Sequence, residues 1–168
     1  MDHARQWGWH RLQPDAARHV VRRAGIRRGE LVVDLGAGHV ALTAALVATG
    51  ALVIAIELHP ARLAMLRKRF ADAPVTVVGA DLATARLPRR AFRVVANPPW
   101  ALAETVRAAL LRSPGLVRAD LVLPRWLVHR WADRSPRVDV GWSLRGESFS
   151  PPAPTGTAVA VIHGRRRR

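Results

Sequence analysis

The sequence has no cysteine, a single lysine and few acidic residues. The absence of cysteine excludes disulfide bonds, a cysteine nucleophile, thiolate zinc sites and iron–sulfur clusters. The histidines show no metal-ligand spacing, so we expect no metal site. Residues 1–12 contain no apolar segment of the kind found in secretory signals, and we expect a cytoplasmic protein.

The shortage of acids leaves a strongly basic chain. Twelve Asp and Glu residues face 27 Lys and Arg residues, which gives a net charge of +15 and a pI near 12.0. Such a charge is typical of proteins that bind a polyanion, most simply nucleic acid. A GC-rich genome also favours arginine over lysine, but that bias does not explain why acids are scarce.

Length and hydropathy favour one folded domain. A chain of 168 residues can bury roughly 70% of its unfolded surface, and its 49% hydrophobic content excludes global disorder.

Residues 35–56 carry no charged side chain and are long enough to span a bilayer. Three glycines interrupt them, so we interpret them as a helix between two buried strands and expect no membrane association.

Helical and strand patterns alternate along the chain. Helices are predicted over residues 14–24, 40–49, 60–70, 101–112 and 125–134. Strands are predicted over residues 31–35, 51–57, 75–78, 92–96 and 157–163, with a further strand ending at 121–123. This order implies a single α/β domain with a mostly parallel, doubly wound sheet. Residues 134–154 are rich in Pro, Gly and Ser and have no clear pattern.

A glycine loop follows the first predicted sheet strand. Gly36 and Gly38 allow a sharp turn and a close approach to a ligand at a helix N-terminus. Three acids, Asp34, Glu57 and Asp81, stand at or just after the ends of successive strands, on the ligand side of such a sheet. Asp34 suits the ammonium of a methionine moiety, Glu57 ribose hydroxyls and Asp81 an adenine amine. The pattern fits S-adenosylmethionine, and it also matches a dinucleotide fingerprint.

The most specific motif is Asn97-Pro98-Pro99-Trp100, at the end of the strand over residues 92–96. The two prolines remove N–H donors, which leaves the Asn97 side-chain oxygen and the Pro98 carbonyl as acceptors. These suit an amine attached to an aromatic ring, and Trp100 offers a face for stacking a base. When these two acceptors hydrogen-bond both hydrogens of such an amine, the nitrogen lone pair is freed for attack on a sulfonium methyl.

Other distinctive residues suggest less. Trp126, Trp131 and Trp142 are expected to pack in the core or between helices. Residues 165–168 are four arginines, which we interpret as a tail that adds phosphate attraction.

Together these motifs resemble the Erm-type 23S ribosomal RNA adenine N6-methyltransferases of actinomycetes, within the rRNA adenine dimethylase family. The resemblance rests on Trp7-Gly8-Trp9-His10, the glycine loop from Val33, Ala55 to Pro60, Gly79-Ala80-Asp81, Phe92 to Trp100, Ala119 to Leu123 and Phe149 to Pro154. It implies a Rossmann-like class I methyltransferase fold and S-adenosylmethionine as cofactor. The implied cofactor residues are His10, Leu12, Gly36, Glu57, Asp81 and Asn97, to which the spacing adds Asp34 and Gly38.

The same resemblance implies roles for the tetrapeptide and for the molecule. Asn97 and the aromatic residue at 100 hold the target adenine, and Asn97, Pro98 and Trp100 form the catalytic set. The substrate would be one adenine of 23S rRNA, naked or in an assembly intermediate, and its methylation blocks macrolide, lincosamide and streptogramin B antibiotics. A monomer is expected, with residues 1–30 as an N-terminal segment and first helix, 31–163 as the methyltransferase domain and 164–168 as a basic tail.

The chain also departs from the family pattern. It is similar to truncated mycobacterial members that have no C-terminal helical domain. Val40 replaces a usual glycine, Trp100 replaces a usual Tyr or Phe, and Pro124 replaces a usual glutamine.

Three other functions stay open from sequence. An Asn-Pro-Pro-aromatic loop also serves methyltransferases that act on DNA adenine or on protein glutamine. A relative that binds RNA without catalysis would share the charge and the fold. An NAD-dependent oxidoreductase would share the glycine loop, but no proton donor is placed for hydride chemistry.

Overall fold

The computed structural model describes residues 10–165, so Trp7–Trp9 and Arg166–Arg168 lie outside the described residues. The helices are α1 (Pro14–Ala24), α2 (Ala41–Val47), α3 (Pro60–Arg69), α4 (Ala103–Arg112) and α5 (Arg125–Arg134). The strands are β1 (Arg11–Leu12), β2 (Leu31–Leu35), β3 (Leu52–Glu57), β4 (Val75–Gly79), β5 (Phe92–Ala96), β6 (Leu116–Pro124), β7 (Val138–Leu144), β8 (Phe149–Ser150) and β9 (Thr157–His163). Short 3₁₀ turns cover Trp100–Leu102 and Gly146–Ser148.

Seven strands form one sheet in the order β4-β3-β2-β5-β6-β9-β7. The first five are parallel, and β9 runs antiparallel to both β6 and β7. The order reverses at the β2–β5 pair, where α/β sheets bind ligands beyond the carboxyl ends of their strands. The predicted fold class, a mostly parallel doubly wound α/β sheet, is confirmed.

Both sheet faces are covered, which explains why the central strands are apolar throughout. Val32 faces a core built with α1 and α2, whereas its neighbour Val33 faces a core built with α4 and α5. α3 packs against Ala55 of β3 through its own smaller cluster. The helices α1 and α3 each begin with a proline at the first helical position, where the missing N–H is not needed.

Three parts of the chain differ from the sequence predictions. α2 begins at Ala41 because Val40 has φ 50°, in the left-handed region that favours glycine. β6 covers Leu116–Pro124, of which the sequence predicts only the end, at residues 121–123. The segment without a clear pattern contains β7, which joins the sheet beside β9, and β8. β8 pairs antiparallel with β1, the short strand that precedes α1.

The apolar segment 35–56 is the end of β2, then α2, then most of β3, as the sequence predicts. Within residues 10–165 no helix combines the length and the apolar character needed to cross a bilayer.

Candidate functional site

The glycine loop lies at the reversal point of the sheet, directly after β2. The backbone N–H groups of Gly36 and Ala37 both donate to the Ile56 carbonyl at the end of β3, at 2.9 and 3.0 Å. Gly36 has φ 75°, and a Cβ there would lie 2.9 Å from the Pro99 side chain. Only glycine therefore allows this loop to touch the Asn97–Trp100 loop.

Asp34, the fourth residue of β2, is 1% exposed below this loop. Its Oδ2 accepts a hydrogen bond from the Thr43 hydroxyl at 2.7 Å, whereas its Oδ1 is buried with no partner. Burial raises the pKa of Asp34 to about 7, with a further increase from Glu57 and an opposing effect of the Thr43 hydrogen bond. A buried carboxylate oxygen without a donor suits a cationic ligand group.

A small cavity of about 30 Å³ lies beside Asp34. Its lining includes Leu12, Gly36, Gly38, Asn97 and the side chain of Arg11. The cavity shares Arg11, Leu12, His39 and Ala41 with a much wider groove of about 930 Å³ between α1 and α2. Arg11 makes no ion pair within the described part of the chain. A cation and a buried acid thus line the same cavity.

A second cavity, of about 180 Å³, lies on the other side of Gly36, between Glu57 and Asp81. Glu57 is 6% exposed, and its two oxygens accept the backbone N–H groups of Gly38 and His59, both at 2.8 Å. Leu58, Leu82, Pro99 and Leu102 supply apolar walls. The combination fits a flat ring with a hydroxylated sugar beside it.

Asp81 lies on the rim of this second cavity and is exposed to solvent. Its Oδ1 accepts the backbone N–H of Ala83 at 2.9 Å, which fixes the turn after β4. The acid is therefore held at the cavity edge by its own loop.

The Asn97–Trp100 loop is held from the N-terminal side by His10. The Asn97 Nδ2 donates to the His10 carbonyl at 2.6 Å, which directs the amide so that Oδ1 remains as the acceptor. The His10 ring packs on the Trp100 indole, with ring centroids 4.7 Å apart. Burial lowers the pKa of His10, against an opposing backbone hydrogen bond with Pro151.

Pro98 is buried, and no backbone amide of the described residues donates to its carbonyl. Two acceptors, the Asn97 Oδ1 and the Pro98 carbonyl, are thus available at one loop. This is the arrangement that the motif predicts for holding an amine.

The structure brings most of the predicted site residues to the same sheet edge. Leu12, Asp34, Gly36, Gly38 and Asn97 line the first cavity, and Gly36, Glu57 and Asp81 line the second. His10, Pro98 and Trp100 line neither cavity and form the loop and its support. Sequence reasoning missed Arg11 and Thr43, although Thr43 carries a signal: a hydroxyl in the first turn of the helix after the glycine loop.

Comparisons with known proteins show the family and the fold of the chain. A family model described as ribosomal RNA adenine dimethylase matches residues 12–139. The chain is 35% identical over 120 residues to a ribosomal RNA small subunit methyltransferase A of Leifsonia xyli, a match that covers 67% of this chain and 42% of that protein. It is 27% identical over 158 residues to an rRNA adenine N-6-methyltransferase of Bacillus licheniformis, covering 85% and 55%. The chain thus spans about half the length of these relatives.

The 23S rRNA methyltransferase ErmE has the same fold, with a TM-score of 0.83 and 20% identity over 94% of this chain and 70% of that one. The glycopeptide N-methyltransferase MtfA, solved in complex with S-adenosyl-L-methionine, superposes with a TM-score of 0.64, 18% identity and coverage of 89% and 87%. The class I methyltransferase fold implied by the motifs is confirmed. Since the family model covers most of the chain, this protein belongs to the ribosomal RNA adenine dimethylase family.

Proposed function

We propose that the chain transfers a methyl group from S-adenosylmethionine to the N6 amine of an adenine in ribosomal RNA. Family membership supports the reaction type, and the two cavities meeting at Gly36 support the cofactor. The target we propose is 23S rRNA, naked or in an assembly intermediate, with resistance to macrolide, lincosamide and streptogramin B antibiotics as the consequence. We further propose that it acts as a cytoplasmic monomer.

The described residues fit the cofactor group by group. The unpartnered Oδ1 of Asp34 would accept the ammonium of the methionine moiety, and Arg11 at the cavity mouth would bind its carboxylate. Glu57 would accept the ribose hydroxyls and Asp81 the adenine amine, with the apolar walls of the second cavity on the ring faces. When bound, S-adenosylmethionine supplies an electrophilic methyl on a sulfonium.

Asn97 and Pro98 prepare the nucleophile. The lone pair of the adenine N6 amine is delocalised into the ring, which makes the amine a weak nucleophile. The Asn97 Oδ1 and the Pro98 carbonyl would accept its two hydrogens and favour the pyramidal amine, whose lone pair is then free. Trp100 would stack on the base and fix its plane, and the target nucleotide must leave its own stack to reach this loop.

One observation carries the proposal: the His10 carbonyl fixes the Asn97 amide with its oxygen as the available acceptor, in the lining of the cavity that contains Asp34. We expect Asn97→Ala to lower methyl transfer at least about 100-fold, because orientation and charge stabilisation are lost together. The affinity for S-adenosylmethionine should stay within a few-fold of wild type. The measurement is incorporation of labelled methyl into naked 23S rRNA, with calorimetry for cofactor binding.

Thr76→Ala is the matched control, because Thr76 is an exposed polar residue of β4 that lines neither cavity. It should methylate as wild type does. Turnover of Asn97→Ala near the wild-type rate would refute the role of the amide.

A second target has support of its own. The relatives include a ribosomal RNA small subunit methyltransferase A, that of Leifsonia xyli, which is 35% identical to this chain over 120 residues. Parallel assays with 16S and 23S rRNA distinguish the two targets, and duplex DNA or a protein acceptor tests the two other substrate classes. RNA binding without any methyl transfer would favour a non-catalytic relative.

A further inference from the structure

Trp126 is the most exposed of the large hydrophobic residues in the described part of the chain, at 58% of its surface. The expectation that it packs in the core or between helices is wrong, whereas Trp131 in the same helix is 1% exposed, as expected. Single exposed apolar residues are common, so exposure alone assigns no function. Trp126 differs from the other exposed apolar residues in its position after β6 and in its contact with Arg130.

Trp126 lies beyond the carboxyl ends of the parallel strands, as the Asn97–Trp100 loop does. It is in the first turn of α5, which starts directly after β6. Strand β6 is the parallel neighbour of β5, and Leu121 pairs with Ala96, the residue before Asn97. α5 therefore begins roughly 10 Å beyond that pair along the strand direction, beside the loop that holds the target base.

One face of the Trp126 ring is occupied by a fixed cation. The guanidinium of Arg130, one helical turn later, lies 5.2 Å from the ring centroid. Arg130 Nη2 donates to Glu104 Oε1 at 2.7 Å, and the Trp131 Nε1 donates to the same oxygen at 2.9 Å. Burial alone would raise the pKa of Glu104, but these two hydrogen bonds and nearby Arg107 outweigh it and lower the pKa.

Glu104 also connects Arg130 and Trp131 to the Asn97–Trp100 loop. It is in the first turn of α4, which follows the 3₁₀ turn that starts at Trp100. The orientation of Trp126 is thus fixed relative to Trp100 through Glu104 and Arg130. The next residue toward the N-terminus, Arg125, is exposed and adds a positive charge.

An exposed planar ring with a cation close to one face is suited to stacking on a nucleobase. The net charge of +15 favours a polyanion such as RNA as the ligand of this surface. A partner protein with few acidic residues would gain less from this charge. We propose that Trp126 stacks on an unpaired nucleotide that neighbours the target adenine in the RNA substrate. That the stacked nucleotide neighbours the target adenine rests on the proposed function. That Trp126 stacks on a base of RNA does not rest on it.

The test compares Trp126→Ala and Trp126→Phe with wild type. The control is Val117→Ala, because Val117 is 53% exposed at the start of β6, at the opposite edge of the sheet. Binding is measured by fluorescence anisotropy with a labelled single-stranded RNA of about 12 adenosines, over a range of salt concentrations. Methyl transfer to naked 23S rRNA is measured in parallel.

We expect Trp126→Ala to bind the oligonucleotide roughly 5- to 100-fold more weakly, which is the fold-change of losing one stacked base. Trp126→Phe should keep most of the affinity, and Val117→Ala should bind as wild type. Because no charge is removed, the salt slope should not change. With 23S rRNA, the KM for RNA should rise while kcat and cofactor affinity stay near wild type.

Equal RNA affinity of Trp126→Ala and wild type would overturn the stacking role, and would leave a protein-docking surface as the interpretation. The result is independent of the proposed reaction. If the wild type bound RNA through Trp126 but transferred no methyl group to any RNA, the proposed function would fail and the stacking surface would stand.

Discussion

At the scale of single residues, Asp34 is a carboxyl group whose surroundings oppose the charge that the proposed cofactor site needs. Burial and the nearby Glu57 raise its pKa from 3.8 to about 7, despite the Thr43 hydrogen bond. The folded chain therefore holds a proton that the unfolded chain releases between these two values. The free energy of unfolding should fall as the pH rises through this window.

The same pKa predicts how cofactor binding depends on pH. Below pH 7 most Asp34 is neutral, and an ammonium group must first displace its proton. We expect the affinity for S-adenosylmethionine to fall by up to about tenfold per pH unit below 7, and to level off just above it. Calorimetric titrations from about pH 5.5 to about pH 7.5 measure this.

Asp34→Asn is the control for this prediction, because an amide cannot titrate and still accepts the Thr43 hydroxyl. It should bind the cofactor weakly at each pH, with no slope from this group. A wild-type affinity that does not change across the range would contradict the assignment of Asp34 to the ammonium.

Arg11 is the second residue whose role can be tested alone. If it binds the methionine carboxylate, Arg11→Ala should raise the KM for S-adenosylmethionine roughly three- to tenfold, as expected for a partly exposed charged hydrogen bond. Arg18→Ala is the matched control, since Arg18 lines the same wide groove but not the small cavity and is paired with Asp15. An equal loss in both variants would indicate a general effect of charge.

At the scale of elements, two loops from different strands must fit against each other. Gly36 combines a positive φ with a Cβ position only 2.9 Å from the Pro99 side chain. We expect Gly36→Ala to lower the free energy of unfolding by about 1–2 kcal/mol and to weaken cofactor binding, because the loop must move. Thermal unfolding and calorimetry measure the two effects.

Gly146→Ala serves as the comparison. A Cβ at Gly146 would have only an ordinary contact, 3.5 Å from the Ala153 carbonyl, and its φ is not in the left-handed region. This variant should unfold near the wild-type temperature. Similar losses in both variants would show that the fit of the Gly36 loop is not what matters.

The elements differ in how far the sequence could predict them. The parallel strands carry continuous apolar runs, and two of the helices, α1 and α3, have a proline at their start, so their positions followed from local patterns. β7 was missed because its burial alternates only weakly and a glycine and two polar residues interrupt it. β1 and β8 are two residues each and exist only through their mutual pairing, which no local pattern encodes.

The site shows the same division. Residues with a motif, such as Gly36, Glu57 and Asn97, could be placed from sequence because their strands end at one edge. The support of Asn97 by the His10 carbonyl spans 87 positions and uses a backbone atom, so residue types carry no sign of it. Trp126 could not be told from Trp131, since both occur in the same helical pattern and differ only in the face they present.

At the scale of the whole molecule, the function that we propose requires the binding of two ligands of opposite charge. Asp34 and Glu57 are buried acids at the cofactor cavities, whereas Asp120 is paired with Arg93 and Arg118 at 3.7 and 2.6 Å. The net charge of +15 is that of the whole chain and already includes these buried acids. We expect the buried acids to favour a cationic cofactor and the excess of basic residues to attract RNA.

The most direct test is to map N6-methylated adenines, by mass spectrometry of digested rRNA, in cells with and without this protein. The account predicts one adenine of 23S rRNA that carries N6-methyl groups only when the protein is present, and that stays unmodified when Asn97→Ala replaces it. Methylation of 16S rRNA instead would move the target and keep the reaction. Identical adenine methylation in both rRNAs of both strains would contradict the account.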